Sequence, residues 1–86
     1  MKLPIIRHLS NFIEERDEDF LVEAIETLEH LTELESLADE ELDVIGELIS
    51  NMYGAIEVHK MMKNDGLSQK AALKKFMDRV LGSIDK

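Results

Sequence analysis

Apolar residues recur at spacings of three and four along almost the whole chain, and nowhere do they alternate as in a half-buried strand. That periodicity confines the fold to packed helices. Four stretches carry it, separated by breaks of a few residues, and short connections favour antiparallel neighbours. The spacing predicts an all-α, antiparallel bundle of four helices over about 4–15, 18–34, 39–64 and 69–83, within one domain spanning 1–86.

Each stretch has its own start and stop signals. Pro4 suits a first helical turn, where its missing N–H would be unpaired in any case. Ile6, Leu9 and Ile13 form the first stripe, widened by Ile5 and Phe12. Asp17 is placed to cap a second helix that buries Leu21, Ala24, Ile25, Leu28 and Leu31 and turns Glu23, Glu26, Glu29 and Glu33 outward. The third helix, capped by Ser36 or Asp39, carries Leu42, Ile45, Ile49, Met52 and Ile56 without interruption. Val44, Leu48, Ala55 and Met62 widen its apolar arc to nearly half the circumference. An arc that wide predicts cover from two sides and the central place in the bundle. Gly66 should end it in the left-handed conformation that a helix C-terminus favours. Ser68 then caps a fourth helix with Leu73, Phe76, Met77, Val80, Leu81 and Ile84 inward, its last turn loosened at Gly82.

Charge is uneven along the chain. Residues 1–57 hold three basic and sixteen acidic side chains, whereas residues 58–86 hold seven basic and three acidic. The two parts should attract each other in the fold, and an acidic surface is left for a basic partner. A net charge of −9 opposes nucleic-acid binding, which requires Lys and Arg to neutralise phosphate. The longest apolar run falls far short of the ~20 residues of a membrane span, and no signal peptide is visible. A cytoplasmic location without membrane partner is therefore expected. The absence of cysteine removes disulfides, thiolate metal sites and a cysteine nucleophile.

Catalytic and metal constellations are correspondingly poor. Glu26, His30 and Glu33 share one helical face, but that face is opposite Leu28 and Leu31 and open to water. His8 falls at the edge of the first stripe and is expected to be partly buried. His59 continues the third helix's series one step past Ile56, near a C-terminus whose dipole would suit an imidazolium. Di-iron bundles need Glu-x-x-His pairs, and Ile5, Thr27 and Ile56 stand three residues before the histidines. No nucleophile elbow or phosphate-cradling glycine loop occurs. Neither catalytic residues, a metal nor a cofactor is expected. Glu35-Ser36-Leu37 ahead of Asp39-Glu40-Glu41 is similar to the phosphopantetheine site of carrier proteins, with Ser36 the residue that would be modified. Glu stands there for Asp, no glycine precedes it, and the following helix is too long.

The most distinctive segment lies within the third helix. Gly46, Ser50 and Gly54 are four apart and form a ridge of small residues flanked by Tyr53. Two glycines inside a helix cost roughly 0.8–1 kcal/mol each relative to alanine. Close approach of another backbone or a bulky side chain is the usual compensation. Either the first or fourth helix packs there, or the ridge meets a second chain, with Tyr53 as anchor and Asn51 supplying hydrogen bonds, or a ligand pocket lies over it, which would make the chain a small-ligand- or metal-binding helical protein.

The run from Glu40 to Ala55, with Lys2-Leu3-Pro4-Ile5 and the stretch from Phe76 to Asp85, resembles a family of small acidic bacterial proteins classed only as a domain of unknown function. The resemblance implies a compact helical protein with no assigned activity. The same resemblance implies a place near genes for thioredoxin-like and peroxiredoxin-like proteins, and with it a thiol-redox protein partner whose cysteines would be its own. Taken together, the residues point to a non-enzymatic protein–protein interaction module built on Gly46, Ser50, Gly54, Tyr53 and Asn51. A homodimer is favoured over a monomer, because so short a chain has little material to cover so wide an arc.

Overall fold

The computed structural model describes residues 2–84, and the side chains of residues 2–81. Four helices follow one another: α1 (Leu3–Glu15), α2 (Asp19–Leu31), α3 (Asp39–Asp65) and α4 (Gln69–Ile84). Their boundaries follow the periodicity to within a residue, except that α2 stops three residues early. Leu31 ends it, and Thr32 and Glu33 continue as turns. The expected inward position of Ile84 and the loosening at Gly82 fall on side chains outside those described.

Local chemistry accounts for most helix ends. The Asp17 Oδ1 accepts the Asp19 N–H at 3.3 Å, and the Ser68 Oγ accepts the Ala71 N–H at 3.2 Å. Gly66 follows α3 at φ 68° and ψ 22°, the left-handed region where a Cβ would be strained. Neither Ser36 nor Asp39 caps α3. Its N-cap is Ala38, whose N–H donates to the Glu41 Oε1 at 3.0 Å, one half of a capping box. Asp39, Glu40 and Glu41 all lie in the first turn, where the helix dipole favours negative charge.

All three other helices pack on α3. Its 27 residues span about 40 Å, twice the length of α1 or α2 with 13 residues each. That mismatch gives a long, flat particle of 44 × 35 × 18 Å. Its radius of gyration is 13.9 Å, against about 12 Å for a compact domain of this length.

Two nearly opposite faces of α3 are used. Ile45 and Ile56 face α2, which runs back alongside them through Ile25 and Leu31. Asn51, Gly54, Val58 and Met61 lie on the other side and are buried by α1 and α4. The core joins these faces through Ile6, Ile13, Leu21, Ile25, Ala55, Val58, Leu73 and Phe76. Cover from two sides is thus real, but only in the C-terminal half of α3. Between Asp39 and Ser50, Ile45 alone is buried.

Several residues expected inside are not. Ile5, Phe12, Leu31, Val44, Leu48 and Leu81 are exposed, and so is His8. Ser10 takes the inward place between Ile6 and Ile13, fully buried, its hydroxyl donating to the Met62 sulfur at 3.8 Å. The acidic and basic parts of the chain meet where the Arg79 guanidinium lies 3.4 Å from Glu57.

Candidate interaction surface

The ridge of small residues is divided by the fold. A Cβ built on Gly54 would lie 3.0 Å from Ile6 Cδ1 and 3.3 Å from Phe76 Cζ. Gly54 is therefore the point at which α1 and α4 converge on α3, and the glycine is compensated within the monomer. Gly46 has nothing within 4 Å of an added Cβ and lies exposed. Ser50 is half-buried between them.

Asn51 is an internal residue as well, 1% exposed. Its Oδ1 accepts the backbone N–H of Lys2 at 2.9 Å and its amide donates to the Glu47 carbonyl at 2.9 Å. The first of these bonds fixes the start of α1 against the middle of α3. Gly54 and Asn51 thus hold the monomer together and offer no surface to a second chain. Tyr53 does lie outside, half exposed, its hydroxyl 3.5 Å from the Glu29 carboxylate.

A different surface emerges from the register of α3. Val44, Leu48, Asn51, Ala55, Val58 and Met62 follow one another at spacings of three and four, on a single stripe. From Asn51 onward the stripe is covered, with Asn51 bonded to Lys2 just ahead of α1 and Met62 to Ser10 within it. Before Asn51 it continues bare: Val44 is 59% exposed and Leu48 41%. Beside Val44, the end of α2 and the following turn leave a shallow groove of about 420 Å³ lined by Leu31, Leu37, Val44 and Ile45, with Glu40 and Glu41 at its edge. Leu34, also half exposed, adjoins it with Leu31, His30 and Glu33. Periodicity places Val44 and Leu48 within the apolar arc of α3 and does not mark them as surface. The available signal was length: a 13-residue helix cannot cover a stripe of 27 residues.

The polar constellations stay apart. His30 Nδ1 lies 3.5 Å from Glu33 with both side chains in solvent. The His59 ring is largely buried, with Nδ1 3.3 Å from the Glu14 carboxylate. Among the described residues no three His, Asp or Glu side chains converge as a metal site, and no helix is long and apolar enough to cross a membrane. Ser36 is exposed in the α2–α3 connection, ahead of the Ala38 cap, so α3 does not begin on it.

Fold and surface together define a small four-helix protein with a packed half and a bare apolar helix end. A family model matches residues 1–85, and the chain belongs to that family, described as a family of unknown function (DUF6952). No curated protein and no solved structure matches the chain.

Proposed function

We propose that this chain is a non-enzymatic, acidic protein–protein interaction module, and that its binding face is the uncovered N-terminal half of α3 rather than the Gly46/Ser50/Gly54 ridge. The observation that carries this reading is the stripe through Val44 and Leu48. It is the direct continuation of the surface that seats α1, yet among the described residues no helix packs over it, and Val44 stays 59% exposed. Contiguous exposed apolar side chains rimmed by polar residues mark contact surfaces in small proteins.

Capture from native-host extract tests the proposal, with the wild-type chain and Val44→Asp as baits. Val44 points into solvent, so the substitution leaves the fold intact, which far-UV circular dichroism verifies. A protein retained by the wild type and lost with Val44→Asp supports the reading. Retention by both baits overturns it. Intact mass of the native protein separates it from the carrier-like alternative, since a covalent addition at Ser36 would make the chain a carrier.

A further inference from the structure

We infer that the bare stripe of α3 and the adjoining groove seat a basic amphipathic helix from another protein. The inference deepens the interaction-module reading and rests on it. Three observations fix the chemistry of the occupant.

The first is shape. Asp39 to Ser50 is twelve residues, about 18 Å of helix. Val44 and Leu48 stand one turn apart on it, and Leu31 and Leu37 form the opposite wall beside Val44. A helix of three to four turns, with apolar residues at intervals of three and four, matches that length and spacing. The same stripe already holds a helix of this kind further along, because α1 lies on it from Asn51 to Met62.

The second is charge. Glu33, Glu40 and Glu41 border the two adjoining hollows, and neither is lined by Lys or Arg. In the sequence no Lys or Arg occurs between Arg16 and Lys60. An occupant with Lys or Arg flanking its apolar stripe therefore meets opposite charge around the Val44 end, while Lys2, bonded to Asn51, stands beyond Leu48 at the other.

The third concerns a second copy. A two-fold contact brings the same patch against itself, so two rims carrying Glu33, Glu40 and Glu41 would approach each other, with no Lys or Arg lining either hollow to separate them. Like charges brought together across an interface are unfavourable. A basic helix gains from that rim where α3 of another copy would be repelled by it.

The test is fluorescence anisotropy with an 18-residue designed peptide of leucine and lysine, leucines on one helical face, at 0.15 M salt. Its sequence-scrambled isomer, of equal charge and without an apolar face, is the comparison. Wild type should bind the amphipathic peptide at least tenfold more tightly than the scramble. Val44→Asp, which makes the rim more acidic, should weaken binding at least tenfold, whereas Leu81→Asp, outside the groove, should leave it unchanged. Equal binding of both peptides, equal or tighter binding by Val44→Asp, or no binding at 100 μM overturns the inference. If the peptide fails while capture from extract is still lost with Val44→Asp, the interaction module stands and the basic helix falls. Sedimentation velocity completes the assignment: a dimer broken by Val44→Asp would give the groove to a second copy and overturn the inference.

Discussion

Ile6 of α1 lies so close over Gly54 of α3 that an added Cβ would stand 3.0 Å from its Cδ1, with Phe76 of α4 3.3 Å away on the same spot. Three helices thus meet at one missing side chain, and the small residue that looks like an adhesive surface in the sequence is the keystone of the monomer.

Gly54→Leu should therefore destabilise the monomer itself rather than merely detach a partner. Overpacking a filled core costs about 1–3 kcal/mol or more, and a change of 1 kcal/mol moves Tm by about 4–8 °C in a domain this size. Gly46→Ala should do the opposite, because its Cβ enters open space and the helix gains up to about 1 kcal/mol. Thermal unfolding by circular dichroism reads both. A Gly54→Leu variant with wild-type Tm would return the ridge to the surface.

The bond from the Lys2 N–H to the Asn51 Oδ1 should be felt at the start of α1. Asn51→Ala deprives that N–H of its acceptor and is expected to cost about 1–2 kcal/mol. Asn51→Leu, which makes the stripe wholly apolar, should not recover the loss. Urea denaturation checks both, and unchanged midpoints would mean that α1 is positioned by its apolar face alone.

Gly66→Ala should destabilise by about 1 kcal/mol, because the residue sits at φ 68°, where a Cβ meets its own backbone. Gly66→Asn, better tolerated in that region, should lose less. Equal stability of Gly66→Ala and the wild type in urea would place the end of α3 elsewhere.

Surface substitutions on the bare half of α3 should leave folding almost untouched. Val44→Asp removes a side chain that is 59% exposed, so it is expected to shift stability by no more than about 0.5 kcal/mol. A larger loss would show that Val44 is packed within the monomer.

Most of the architecture was legible in the sequence because local signals and periodicity agree in it. Asp17, Ser68 and Gly66 mark helix ends by chemistry confined to a few residues, and Ile6, Ile13, Leu21, Ile25, Leu73 and Phe76 fall inward as their spacing requires. The candidate surface was not legible, for two physical reasons. Spacing assigns residues to a face but cannot say how far a neighbour reaches along it, so Val44 and Leu48 read like Ala55 and Met62. Asn51 and Ser10 read as polar positions, whereas both are buried with a bonded partner. Gly54 carried the right signal, close approach, but the sequence left open whether the approaching group belonged to this chain or another.

Site-specific photo-crosslinking in the native host tests the binding face most directly. A benzophenone side chain replaces Leu48 in one variant and Gly46, on another side of the same helix, in a second. The expected result is a crosslink to a second protein from position 48 and little or none from position 46. Crosslinking from position 46 alone, or equally from both, would contradict the assignment of the bare α3 stripe as the binding face.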